Sequence, residues 1–182
     1  KWCSLLTDIE DRKRVEQALR KSETYLAEAQ RLTHTGSWAF TPATLQSTYW
    51  SDEMFRINGM DPRARQAPGM NEALKLFIHP DDVERSWSIF QSARQAKADF
   101  EMEHRIVLEG GTVKHLHVIG RSVLDATGEL AEYVGTAVDI TERKRIEAER
   151  AAHVWFLESM NRISRAMQAS TDPEQLMSSV LH

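Results

Sequence analysis

Three features of the sequence predict an α+β fold, with a five-stranded antiparallel sheet carrying short helices on one face. Phe100–Leu108 and Thr112–Leu124 are alternating strands joined through Gly110-Gly111. Both glycines reach positive φ without steric cost, which a tight hairpin requires. A turn at Asp125-Ala126-Thr127-Gly128 then leads to a third strand, Leu130–Val138, which runs without Gly or Pro into the charged helix start Asp139-Ile140-Thr141-Glu142. Two earlier strands are separated from this trio by several short helical segments, an order that gives hairpins and a mixed-order antiparallel sheet.

The elements follow in order. From Ile9 to Leu32 there is no Gly or Pro, and Val15, Ala18, Ser22, Tyr25, Ala29 and Leu32 step by three and four. That spacing suits an amphipathic helix, either in a two-stranded coiled coil or folded back on its own sheet. His34-Thr35-Gly36-Ser37 turns the chain into a strand at Trp38–Thr41, and Pro42-Ala43-Thr44 turns it into a second at Gln46–Trp50. Ser51-Asp52 cap a short helix that ends at Gly59. Asp61–Gly69, with two prolines and two arginines, is an exposed loop. Asn71–Ile78 forms a helix expected to turn Leu74, Leu76, Phe77 and Ile78 inward. Pro80 opens the next helix at a position where its missing N–H costs nothing, with Asp81 and Asp82 facing the positive helix end. Thr141 to Ala169 again lacks Gly and Pro, and Phe156, Met160, Ile163 and Met167 form a seam on a long linker helix. Ser170-Thr171-Asp172 breaks it, and Asp172, Pro173 and Gln175 start another helix.

An internal repeat is visible. Thr7-Asp8-Ile9-Glu10-Asp11-Arg12-Lys13-Arg14 aligns with Val138-Asp139-Ile140-Thr141-Glu142-Arg143-Lys144-Arg145, so the same strand-to-helix exit is expected twice. Residues 1–8 then read as the last strand of a truncated preceding domain, residues 9–33 as a linker helix, 34–141 as the main domain and 142–170 as a second linker helix.

Composition narrows the function classes. A charged fraction of 27% and a hydrophobic fraction of 41% describe an ordinary globular chain of 182 residues. A net charge of −4 offers no clustered basic face for nucleic acid. No apolar run approaches the ~18 residues of a membrane span, which points to a cytoplasmic protein with no membrane partner. The chain does not begin with Met and reads as part of a longer protein. Cys3, the only cysteine, excludes an internal disulfide and any two-cysteine metal site. No nucleophile elbow, Walker loop or zinc signature appears.

Gly135-Thr136-Ala137-Val138-Asp139-Ile140-Thr141-Glu142-Arg143-Lys144 resembles the closing strand and Asp-Ile-Thr signature of PAS sensor domains. Gly36-Ser37-Trp38, Tyr49-Trp50-Ser51 and His79-Pro80-Asp81-Asp82 stand in the matching order, so the resemblance covers roughly residues 24 to 144. It implies five strands cupping a small pocket roofed by helices, in a sensory module of a multidomain signalling protein, a sensor histidine kinase or a cyclic-dinucleotide enzyme. The tail from residue 171 resembles the start of a GAF domain.

Closure by a two-residue Gly110-Gly111 turn pairs Ile106 with His115, His104 with His117 and Met102 with Ile119, all on the pocket face. Glu101, Glu103, Arg105 and Glu109 take the solvated face. The expected pocket is therefore His104, His117, His115, Ile106, Ile119, Trp50, Phe55, Leu76 and Tyr133. In flavin-binding relatives, the resemblance implies, positions matching His104 and His117 touch the ligand. The two histidines either share a ligand, ion or proton across the strands, or bond to backbone and water. A metal needs a further ligand that the pattern does not supply. A cysteine-adduct flavin is excluded, flavin itself and haem rank low, and a pocket without cofactor is the first expectation, a small-molecule ligand the second. The resemblance assigns the exit of the signal to Asp139, Ile140, Thr141 and Arg143. A homodimer through the flanking helices, with a downstream output domain in the same chain, follows from the same pattern; a ligand-free dimerisation spacer is the alternative.

Overall fold

A computed structural model describes residues 2–64 and 66–170. The chain divides into two compact units after Thr141. The first comprises α1 (Trp2–Leu32), β1 (Thr35–Thr41), β2 (Gln46–Trp50), α2 (Asp52–Ile57), α3 (Met70–Leu76), α4 (Pro80–Ala96), β3 (Phe100–Val107), β4 (Val113–Leu124) and β5 (Leu130–Asp139). The second is formed by α5 (Thr141–Ser170) from Glu142 onward.

The five strands form one antiparallel sheet in the order β2-β1-β5-β4-β3. The fold is α+β, and its strands lie where alternation places them. Local chemistry fixes the helices. Ser51 caps α2, its hydroxyl accepting from the Met54 N–H at 3.3 Å. Pro80 occupies the first turn of α4, and the His79 ring accepts from the Asp81 N–H. Lys97, in the left-handed region at φ 49°, ends it.

The core lies between the sheet and α2–α4. Phe40, Phe90, Phe100 and Tyr133 meet ring to ring at centroid distances of 5.3–6.1 Å. Gly120 and Gly135 face each other across β4 and β5. A Cβ at Gly120 would overlap the Phe100 ring, and one at Gly135 the Trp38 ring and the Ile119 carbonyl. Absence of side chains there lets two large aromatics lie flat against the sheet.

Two expectations are corrected. Residues 2–7 are helical and continue as α1, where a terminal strand was expected. A strand needs a neighbour for its N–H and C=O groups, whereas a helix satisfies its own. Leu76 is exposed; Leu74 and Phe77 occupy the inner side of α3, and a residue two positions from Leu74 on a helix points almost the opposite way. The apolar stripe of α1 is exposed too, Val15, Leu19, Tyr25 and Leu26 each by more than half, and its last turn meets the sheet through Gln30 Nε2 to Ser37 Oγ at 2.7 Å. The GAF-like start at 171–182 lies outside the described residues.

Candidate functional site

The hairpin is where the expected site rearranges. Leu108 N–H donates to Thr112 O at 2.9 Å and Gly111 N–H to Leu108 O at 2.9 Å, so the loop holds three residues, Glu109, Gly110 and Gly111. Both glycines take positive φ, 91° and 84°. The third loop residue shifts the register by one: Glu103 pairs with His117, His104 with Leu116 and Arg105 with His115. Because side chains alternate, this slip turns every residue of β4 to the face opposite the expected one. His115, His117 and Ile119 therefore leave the expected pocket for the outer face, where His117 Nε2 lies 2.7 Å from Glu101 Oε1. His104 and His117 stand on opposite sides of the sheet, and the shared-ligand pair does not form. His104, Ile106, Leu116 and Val118 face the helices.

There a partly open pocket of about 110 Å³ lies between the sheet and the helices. Trp38, Trp50, Met54, Phe77, Trp87 and Ile106 contribute to a wall that is almost wholly apolar. Of the expected residues, Trp50, His104 and Ile106 line it. Phe55 does not; its ring packs edge-on against Trp50 at 5.3 Å, toward a groove beside β2. Tyr133 lies behind the wall, fully buried, its hydroxyl donating to Ala98 O at 2.8 Å.

Two buried atoms of residues that line the pocket have no partner among the described residues: Ser86 Oγ and His104 Nδ1. Ser86 is only 2% exposed. It was missed in the sequence, although Asp82, Ser86, Phe90 and Ala93 step along one face of α4 and share its burial. Burial lowers the His104 imidazole to about 4, far outweighing the attraction of Asp82, so the ring is neutral at pH 7. Beside it Asp82 anchors α4 to β3. Its carboxylate accepts from Arg105 N–H at 2.8 Å, Nε at 2.9 Å and Nη2 at 2.9 Å. The guanidinium holds that carboxyl far below the usual range, against the cost of burial.

The exit residues converge at the end of β5. Asp139 Oδ1 accepts from Thr141 N–H at 3.0 Å and from Thr141 Oγ1 at 2.6 Å, while Oδ2 lies 3.1 Å from Lys114 Nζ. Burial opposes its ionisation, yet these bonds outweigh it and keep the carboxyl below its ordinary value. Thr141 Oγ1 in turn accepts from His115 N–H at 2.9 Å, and Ile140 N–H donates to His115 O at 2.9 Å. His34, two residues past the end of α1 and with φ 49°, accepts at its carbonyl from Asp139 N–H at 3.0 Å. The junction therefore joins the end of α1, strand β4 and the first residue of α5. Arg143 lies further on, 3.8 Å from Glu147 along α5. Lys114 was not foreseen, since nothing in its local pattern marks it.

No group of three or more His, Cys, Asp or Glu side chains arranged to hold a metal occurs among the described residues. At about 110 Å³ the pocket, as its walls stand, is well below the roughly 300–1,000 Å³ of pockets for ligands of drug size. None of the described helices is long and apolar enough to cross a membrane.

The PAS fold family matches residues 47–137, half of the chain, and the chain belongs to it. Among solved structures it resembles a sensory box histidine kinase/response regulator from Burkholderia thailandensis, 24% identical over 72% of this chain and 95% of that one, with a TM-score of 0.57. It also resembles the N-terminal domain of a diguanylate cyclase with PAS/PAC sensor from Marinobacter aquaeolei, 17% identical over 60% and 98% of the two chains, TM-score 0.55. In sequence it is 23% identical to a probable diguanylate cyclase of Escherichia coli over 80% of this chain. The chain spans 13% of that relative, and 18% of an uncharacterized protein of Sinorhizobium fredii to which it is 27% identical over 82% of this chain. It is a domain of the PAS fold.

Proposed function

We propose that this domain relays the state of its cavity to a downstream output domain through the junction at Thr141. The observation that carries this is on β4. Leu116 walls the cavity, while the peptide of its neighbour His115 holds Ile140 and Thr141, the first residue of α5. A movement of the wall strand by a fraction of an ångström changes bonds at the helix start. Such a switch needs two arrangements separated by only a few kcal/mol, so modest ligand discrimination suffices.

The output is a histidine kinase or a cyclic-dinucleotide enzyme of the cytoplasm, a reading supported by the histidine kinase and diguanylate cyclase among the relatives. The exposed stripe of Val15, Leu19 and Leu26 on α1 supports pairing of two copies through the flanking helices. Replacing Asp139 with Ala in the full-length protein tests the relay. Output should become indifferent to signal while circular dichroism and thermal melting of the domain persist; normal signal dependence in that variant refutes it. Leu19→Glu should convert a dimer to a monomer in sedimentation, and an unchanged sedimentation coefficient refutes the helix interface.

A further inference from the structure

We infer that the pocket takes a small, uncharged, wholly apolar molecule of about one six-membered ring, held by shape and hydrophobic contact. The inference rests on the proposed reading of this pocket as the sensing site and names its ligand class.

Size comes first. At about 110 Å³ the pocket is of the order of the roughly 150 Å³ apolar cavity that binds benzene or xenon in an engineered protein. Charge comes next. No Asp, Glu, Lys or Arg is among the lining residues, and burial keeps the His104 ring neutral at pH 7. An ion entering here loses its hydration and meets no counter-charge. The uncharged polar side chains are turned away or sealed. Ser47 Oγ donates to Pro68 O, and the Asn58 amide donates to Met54 O at 2.9 Å. Ser86 Oγ and His104 Nδ1 each have less than 1 Å² of accessible surface, so neither offers a ligand a bonding partner. What remains is almost wholly carbon and sulfur, from Met54, Met70 and Met102 and the rings of Trp50, Phe77 and Trp87. A polar group carried against this wall gives up its bonds to water without replacement. An apolar molecule gives up none. It also takes apolar surface out of water, since all of these six but Met102 are only half-buried.

Titration of the whole 182-residue chain with benzene and with pyrazine, followed by amide NMR shifts, tests this. The two rings are nearly the same size, but pyrazine carries a nitrogen acceptor at each end, so turning one to the mouth buries the other. Benzene should shift the amides of Ile106, Leu116 and Val118 saturably and bind about ten-fold tighter than pyrazine, the cost of one buried acceptor left unbonded. Xenon under pressure should shift the same amides. Ser86→Ala should leave the benzene-to-pyrazine ratio unchanged. Ala73→Leu, which fills the pocket from α3, should abolish the benzene shifts, with thermal melting verifying that each variant folds. Pyrazine binding as tightly as benzene, benzene shifts confined to residues elsewhere, or no saturable shift with benzene or xenon overturns the inference, and these measurements on the unaltered chain decide it whether or not Ala73→Leu folds. A ratio altered by Ser86→Ala, or benzene shifts that persist in a folded Ala73→Leu, overturns it too. Amides of His115, Ile140 and Thr141 read the relay separately. If the pocket amides respond to benzene and these do not, the relay fails and the ligand class stands. If benzene and pyrazine bind alike and these respond to both, the ligand class fails and the relay stands.

Discussion

Thr141→Val removes one hydroxyl at nearly constant volume and isolates the junction. In the native structure that oxygen accepts from His115 N–H at 2.9 Å and donates to Asp139 Oδ1 at 2.6 Å. Valine abolishes both bonds. Asp139 keeps the Thr141 backbone N–H and Lys114 as partners, so most of the loss falls on the His115 N–H. A bond to a charged group contributes about 1.5–3 kcal/mol, and a buried donor left without acceptor costs about 1–3. Partial solvent access at Asp139, 18% exposed, brings the sum toward the lower end, about 2 kcal/mol. That corresponds to about a 30-fold rise in junction opening. Hydrogen exchange resolves it residue by residue. The His115, Ile140 and Thr141 amides should exchange about 30-fold faster, while those of Phe100 and Tyr133 in the core remain as protected as before. Unchanged protection at His115 refutes the hydrogen-bonded junction; uniform acceleration across the sheet refutes its local character.

Other substitutions test the parts that position the site. The folded pKa of His104, about 4, lies below the ordinary 6.5, so between those values the unfolded chain binds more protons; stability is complete above pH 6.5 and is lost as pH falls toward 4. Between pH 7.5 and 5 the loss is about 2 kcal/mol by urea denaturation, and His104→Leu should abolish that share of the pH dependence. Gly135→Ala drives a methyl into the Trp38 ring and the Ile119 carbonyl; because backbone cannot yield, thermal melting should register a loss of about 2–3 kcal/mol. Asp82→Ala leaves the half-buried Arg105 guanidinium and its backbone N–H without their acceptor, and should destabilise the domain by about 2 kcal/mol or more in the same melt, with accelerated exchange at the Arg105 amide.

Much of the fold was legible because its signals are local. Alternation marked all five strands, Ser51 and Pro80 marked helix starts, and the order of strands and helices gave the class. The Asp139–Thr141 bonds at the start of α5 were legible for the same reason, since an Asp two residues before Thr caps a helix with its own neighbours. Register was not. Two-residue and three-residue loops both use glycines at positive φ, and they differ by one position, which decides whether His115 and His117 face the cavity or the solvent. Ser86 was hidden because a lone serine on an apolar helix face carries no pattern beyond its spacing. The helical start of α1 was hidden by the repeat of the exit motif, which copies a strand-to-helix boundary without supplying the strand's neighbours.

Coupling between cavity and helix start is most directly tested by altering the cavity from its far wall. Ser86→Val adds bulk and removes the unpartnered hydroxyl on α4, with the sheet between it and the junction untouched in sequence. If β4 carries the state of the cavity, exchange rates and amide shifts at His115, Ile140 and Thr141 change along with those around Ser86. Changes confined to α4 and the facing residues of β3, with the junction amides unmoved, contradict it.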